Sequence, residues 1–397
     1  MRIAQVAPLA ESVPPQGYGG TERVVSYLTE ALVDQGHEVT LFASGDSITS
    51  ADLVPITRQG LRTSPEVCNP AVWHTIMLDK VSRRASDFDV IHFHVDCTHY
   101  AMARRCATPC LTTLHGRLDA ADVAVLHDHF TEHPVVAISG AQRASLPDAN
   151  WMATIHHGLP QKLYDFHPLG QDYFAFVGRI SPEKRLDRAI EIAVACNTPL
   201  WVAAKIDPCD QAYFDTEIRA LMRHPLVHFV DEIDEVQKND FIGNARALLF
   251  PIDWPEPFGL VMVEAMACGV PVIAYACGSV PEVMEHGLTG FVVSNQEQAI
   301  DAARRVQSID RSACRRVFER RYLSSIMADE YGKVYRRLAA DRGTSHDTAG
   351  TSRGTLAASV ARSAPAADRR ARSRLALVKR PDEPQATPLD PAWPPPG

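Results

Sequence analysis

The sequence predicts an α/β protein made of two successive doubly wound parallel sheets, and three observations carry that reading. Short apolar runs alternate with helical stretches through the first 340 residues. Residues 162–171 lack either period and hold Pro168 and Gly170, after which the alternation restarts. The residues of unusual chemistry fall just after strand-like runs, which is the edge where such sheets bind ligands.

The elements follow in order. Residues 3–7 form the first apolar run. Residues 21–35 have helical spacing, with Val24, Val25, Leu28 and Leu32 on one stripe and Gly36 as the stop. Strands are expected over 39–43, 89–93, 110–114 and 134–138, with helical stretches between. The second unit begins with a strand over 173–177 and a helix over 183–195. Further strands are expected over 200–204, 227–230, 247–250 and 270–274. Apolar runs this short, separated by helices, suit strands covered on both faces.

Composition bounds what the chain can do. Its 397 residues are 46% hydrophobic and 22% charged, enough for two packed domains, which excludes disorder throughout. No stretch approaches the ~18 apolar residues of a membrane span. The start shows no signal peptide, and the nine cysteines are scattered without a repeat. A reduced, cytoplasmic protein is expected, with at most peripheral membrane association. The net charge of −8 argues against nucleic acid as a partner.

Charge is uneven. Residues 341–397 hold nine Lys and Arg against six Asp and Glu, while the first 340 hold 31 against 42. The same segment carries eight of the 28 prolines, without an apolar period. A disordered tail is expected there. The domains expected are 1–165, 166–321, a terminal helix over 322–340, and the tail.

Five segments carry chemistry. Gly17-Tyr18-Gly19-Gly20-Thr21-Glu22 lies between the first strand and helix, as a tight turn or as a close approach to a ligand. Glu22 stands where a dinucleotide fingerprint needs glycine, which disfavours an oxidoreductase. His115-Gly116 follows the strand over 110–114, where histidine serves either packing or hydrogen bonding. Gly178-Arg179 and Lys184 flank an expected N-cap at Ser181 with Pro182 at the first helical position. A cation in a first helical turn opposes the dipole, so the pair is either solvated or set to bind diphosphate.

The segment from Pro255 to Gly269 is the most specific. A helix is expected to start near 258–260 and end at Gly269. It is apolar nearly all round, with Glu264 its only charge. A buried carboxylate needs a partner or a polar ligand. Glu256 lies at the helix mouth eight positions earlier, so the two can hold one extended, hydroxyl-rich ligand. Cys277-Gly278-Ser279-Val280-Pro281-Glu282 forms another turn on the same edge, and no catalytic role is expected for Glu282. Asp87-Phe88-Asp89 matches a metal-binding D-x-D pattern but precedes its strand, at the edge away from the cleft. His92, His94, Cys97 and His99 have ligand-like chemistry without a ligand-like spacing. No metal site is expected.

Together these motifs resemble the retaining glycosyltransferases of family 4, which have the GT-B fold of two Rossmann-like domains facing across a cleft. The resemblance runs in order through Gly17 to Glu22, His115-Gly116, Arg179 with Lys184, and Glu256 to Glu264, over roughly residues 1–340. It implies transfer of a sugar from a nucleotide-diphosphate sugar, with retention, no metal and no other cofactor. It implies that Arg179 and Lys184 hold the diphosphate, Glu256 the sugar hydroxyls and Glu264 the ribose. Amides of Phe258, Gly259 and Leu260 would bind sugar and phosphate, and His115 would lie near the reacting sugar. Gly19 and Gly20 would approach the phosphate or the acceptor, which is a glycan, a lipid-linked sugar or a small molecule. The family also implies that the final helix crosses back to the first domain. Cys277-Gly278 departs from a common Gly-Gly pair. The rival functions are a sugar-nucleotide epimerase of the same fold and a catalytically silent glycan- or nucleotide-binding protein.

Overall fold

The computed structural model describes residues 1–64 and 67–349, with side chains to residue 341. Two sheets organise it, and every pairing in them is parallel. The first runs in the order β3-β2-β1-β4-β5-β6-β7. Its strands are β1 Arg2–Val6, β2 Glu38–Ala43, β3 Asp52–Pro55, β4 Val90–Phe93, β5 Cys110–Thr113, β6 Val135–Ala137 and β7 Trp151–Thr154. The second runs β10-β9-β8-β11-β12-β13. Its strands are β8 Phe174–Arg179, β9 Leu200–Lys205, β10 Val227–Phe229, β11 Ala247–Phe250, β12 Val272–Tyr275 and β13 Gly290–Val293.

Both sheets reverse direction of growth once, between β1 and β4 and between β8 and β11. At such a switch point the loops leave in opposite directions and open a crevice beyond the strand ends. The glycine segment, His94 and the segment around Glu256 follow β1, β4 and β11, and Arg179 is the last residue of β8.

The helix Gly20–Asp34 buries the predicted stripe of Val24, Val25, Leu28 and Leu32. Gly36, at φ +81°, ends it in the left-handed conformation. His37 N and Gly36 N then bond back to the carbonyls of Leu32 and Val33. The helix Leu260–Cys268 lies between Gly259 and Gly269, both left-handed, and is buried along most of its length. Its apolar circumference follows from neighbours on several sides, the helix Arg311–Arg321 among them.

Two expectations change. The helix after β8 starts at Leu186, not 183, with Arg185 as its N-cap at φ +54°. Ser181 does not cap it. Its carbonyl accepts from Lys184 N at 3.1 Å, so Pro182 and Glu183 form a turn before the helix. Strands β3, β7 and β13 were not expected. β3 and β7 are half-exposed edges four residues long, too short and too mixed for a period-two signal.

The final helix, Ser324–Ala349, runs nine residues beyond the expected boundary at 340. No proline interrupts the sequence until Pro365, so the composition change at Asp341 does not mark a break. The rest of the expected tail, from residue 350, lies outside the described residues. The helix packs on the first domain. Gln35 Nε2 donates to Asp329 at 2.9 Å, and the hydroxyls of Tyr331 and Tyr335 reach Thr113, Gln5 and His92 under the first sheet.

Candidate active site

A cavity of about 600 Å³ lies between the carboxyl ends of the two sheets. Gly19, Gly20, His115, Arg179, Lys184, Glu256, Phe258, Gly259, Leu260 and Glu264 all line it. Residues singled out across 246 positions of sequence thus meet at one place, because each follows a strand end.

Arg179 closes β8 and faces three carboxylates. It pairs with Glu183, with Asp210 at 3.1 Å and with Asp207 at 3.5 Å. Lys184 sits in the turn before Arg185, not in a helical turn, so the dipole argument made for it does not apply. Its Nζ instead donates to Glu256 Oε2 at 2.5 Å and lies 4.9 Å from the Trp254 ring centre. Both cations line the cavity; Lys184 is paired by Glu256 of the cavity wall, and Arg179 by carboxylates outside the cavity lining. An anionic ligand entering here replaces internal carboxylates as the partner of fixed charges.

Glu256 is only 8% exposed. Its Oε2 also accepts from Trp254 Nε1 at 2.9 Å. The turn after β12 fixes its backbone. Ser279 N donates to Glu256 O at 2.9 Å, and a Cβ on Gly278 would stand 2.3 Å from Glu256 N. Gly278 has φ +56°, so the essential glycine of that turn is present and Cys277 occupies a position that tolerates a side chain. Beyond Glu256, Gly259 caps the N-terminus of the Leu260–Cys268 helix without a side-chain cap, and the first amides of a helix have no intrahelical carbonyl to bind.

Glu264, 4% exposed, receives a bond from Lys238 Nζ at 3.1 Å. Burial pushes the Lys238 ammonium down, and the Glu264 charge opposes that shift. Sequence reasoning missed Lys238. A capping box at Asp234 and Gln237 marks its helix, Glu235–Gly243, but nothing local links it to a glutamate 26 positions later. The same helix supplies Glu235, which binds Arg23 of the first domain and the Tyr164 hydroxyl. Arg23 in turn donates to the Gly17 carbonyl at 2.8 Å. Glu232 Oε1 accepts from Tyr18 N at 2.7 Å, and a Cβ on Gly17 would meet it at 2.5 Å. Gly20 has open space around it.

On the first-domain wall, burial pushes the His115 imidazole down to about 3, so it is neutral at ordinary pH. Its Nε2 meets His94 Nδ1 at 2.9 Å, and its ring stacks on His157. His92, His94 and His99 belong to hydrogen-bond chains with Thr113, Gln5 and Thr112. Among the described residues, no three His, Cys, Asp or Glu side chains gather as a metal site. Asp89, at the far end of β4, receives both the Arg2 amide and its guanidinium at 2.9 Å. That pair explains the D-x-D match as a strand-edge clamp.

Glu282, for which no catalytic role was expected, has a structural one. It clasps the domains, accepting from Gly140 N at 2.8 Å and His156 Nε2 at 2.6 Å.

A model described as Glycosyltransferase Family 4 matches residues 18–190. A second, described as Glycosyl transferases group 1, matches residues 165–317. A phosphatidyl-myo-inositol mannosyltransferase of Propionibacterium freudenreichii is 26% identical over 352 residues, 75% of this chain and 84% of that protein. A D-inositol 3-phosphate glycosyltransferase of Mycobacterium avium is 25% identical over 56% of this chain and 61% of its own length. Among solved structures, a sucrose-phosphate synthase of Thermosynechococcus elongatus superposes with a TM-score of 0.71 at 20% identity, covering 86% of this chain and all of that one. Anabaena HepE, solved with UDP and glucose, superposes at 0.67 and 18% identity, over 85% of this chain and 100% of its own. The two family models overlap and together span residues 18–317, and the chain is a glycosyltransferase with the GT-B fold that resembles family 4.

Proposed function

We propose that this glycosyltransferase uses a nucleoside-diphosphate sugar and transfers the sugar with retention, without a divalent metal or other cofactor. The observation that carries the reading is the convergence of Arg179, Lys184 and the N-terminus of the Leu260–Cys268 helix on one cavity. Negative charge grows on the diphosphate as the glycosidic bond breaks, and fixed cations with a helix N-terminus answer it. Glu256 then accepts bonds from the sugar hydroxyls, and Glu264, with Lys238, serves the ribose. UDP and glucose in HepE support a donor of this class.

The weak basicity of His115 on the first-domain wall supports retention. An inverting route needs a base behind the sugar to take the acceptor's proton. His115, held near pKa 3, has too little basicity at neutral pH. The departing phosphate oxygen is the better base, which places attack on the same face as departure. Glu256 is not assigned as a covalent nucleophile, because Lys184 and Trp254 hold its Oε2. Domain closure would exclude water and limit donor hydrolysis. The acceptor class stays open between a glycan, a lipid-linked sugar and a small polyol. The relatives' inositol-containing names favour a polyol hydroxyl.

Nine cysteines, none in a disulfide, support a reducing, cytoplasmic setting, and among the described residues no helix is long and apolar enough to cross a membrane. The test is a thermal-shift screen of nucleotide sugars, followed by proton NMR of the first-formed product. An anomeric coupling matching the donor supports the reading, and an inverted product overturns it.

A further inference from the structure

Four charged side chains meet where the first domain touches the second at the edge of the cavity. Arg23 comes from the helix Gly20–Asp34, Glu235 and Lys238 from Glu235–Gly243, and Glu264 from Leu260–Cys268. All four are largely buried, and Arg23, Lys238 and Glu264 line the cavity. Glu235 Oε1 accepts from the Tyr164 hydroxyl, and its Oε2 accepts from Arg23 Nη1. Lys238 Nζ donates to Glu264 Oε1 at 3.1 Å and lies 3.5 Å from that same Glu235 Oε2. Arg23 and Lys238 therefore contend for one oxygen, and Arg23 holds it. Glu264 Oε2 is left without a partner among the described residues.

The charges of the four balance, two against two. Without Arg23, one ammonium would face two largely buried carboxylates, and a buried charge without its partner is costly. Tyr164 keeps Glu235 turned, so the vacated Oε2 would still face Lys238. A flexible four-carbon stem closes a gap of 3.5 Å with a small tilt. Drawing Nζ toward Glu235 would loosen Glu264, for which Lys238 is the side-chain donor among the described residues. Arg23 also donates to the Gly17 carbonyl at 2.8 Å, so its place is set by the glycine segment of the first domain.

We propose that Arg23, on the first domain, is a positioning residue for ribose recognition on the second: by occupying Glu235 it leaves Lys238 to Glu264, whose unpartnered oxygen accepts from a ribose hydroxyl. Approach of the first domain thereby completes the nucleotide site from across the cleft. The ribose as ligand of Glu264 rests on the proposed transferase reading, whereas the competition for Glu235 does not.

The test has two readouts on the full chain. The first is calorimetric titration with UDP, GDP and ADP and with their 2′-deoxy counterparts. Wild type should prefer the ribonucleotide that it binds by at least ~10-fold, the scale of one hydrogen bond to a charged group. Arg23→Met should lose most of that preference, and Arg23→Met with Glu235→Gln should regain it, because a neutral amide no longer draws the ammonium. Glu282→Gln, which loosens the domains elsewhere, should keep it. If Arg23→Met fails to fold, Arg23→Gln removes the same charge and keeps a donor for Gly17. A preference kept in the Arg23 variant, a double variant no better than the single one, or an equal loss in Glu282→Gln overturns the proposal. The second readout is the ligand-free crystal structure of the Arg23 variant, in which Lys238 Nζ should sit on Glu235. A Nζ that stays on Glu264 there overturns the proposal whatever the nucleotides do. If Nζ moves but wild type binds none of the nucleotides, or binds ribose and deoxyribose forms alike, the donor reading of Glu264 fails and the positioning of Lys238 by Arg23 stands.

Discussion

Lys184 Nζ lies 2.5 Å from Glu256 Oε2, tying the turn after β8 to the loop after β11 across the floor of the cleft. The cation assigned to the phosphates and the carboxylate assigned to the sugar are therefore one unit before any ligand enters. Lys184→Ala removes a transition-state charge and also frees Glu256, which keeps only Trp254 as a partner among the described residues. Arg179→Ala removes the other charge. Each should lower kcat/KM by at least ~10²-fold, the scale of losing one preorganised partner of a developing anion. Near-normal kcat/KM in both variants would refute the assignment.

Metal dependence is a second check. The leaving-group charge is assigned to Arg179, Lys184 and the helix N-terminus, while Asp89 is engaged by Arg2 at the far strand edge. Turnover should survive EDTA and dialysis. Loss of activity that Mn²⁺ or Mg²⁺ restores would return the charge-stabilising role to a cation.

Two glycines separate fold from ligand contact. Gly278 has φ +56°, and a Cβ there would stand 2.3 Å from Glu256 N. Gly278→Ala should destabilise by about 1–3 kcal/mol and weaken donor binding, because the displaced backbone carries Glu256. Gly20 has nothing within 4 Å of its would-be Cβ. Gly20→Ala should leave the melting temperature unchanged. Should donor or acceptor approach its backbone, KM rises with the fold intact. An unchanged KM would remove Gly20 from the site.

The sequence made legible whatever depends on local pattern. The helix Leu260–Cys268 was readable from Gly259, Gly269 and a single charge at Glu264. The stripe on Gly20–Asp34 was readable from spacing. Strand-end positions alone brought Arg179 and Glu256 to one edge. What escaped was pairing over long separations. Nothing near Lys238 announces Glu264, and nothing near Tyr335 announces Gln5, 330 positions away. Turn chemistry also misled, since Ser181-Pro182 fits a helix start, yet Arg185 in the left-handed region is the cap. The turn places Lys184 beside Glu256, so tertiary pairing outweighs local capping preference there.

The clasp at Glu282 gives a prediction with a definite sign. Burial alone would raise its carboxyl, but the bonds from His156 Nε2 and the amides of Gly140 and Ala141 outweigh it and hold the group below its ordinary 4.5. A carboxylate depressed by folding contributes stability above its unfolded value and loses it as pH falls through the folded one. Glu282→Gln keeps the shape and one acceptor but removes the charge. Its melting temperature should lie below wild type near pH 7, and the gap should narrow once pH drops below about 4.5 and close as it passes through the lower folded value, where the wild-type group takes up its proton. Because Glu282 joins the helix Val280–Val283 of the second domain to Gly140 of the first, the variant should also hold the domains together less firmly. A looser cleft admits water, so the ratio of donor hydrolysis to transfer should rise. Scanning calorimetry at pH 7 and pH 4, with hydrolysis measured beside transfer, reads both effects. An equal loss of melting temperature at the two pH values would show that Glu282 acts through packing, and the charge-based clasp would be wrong.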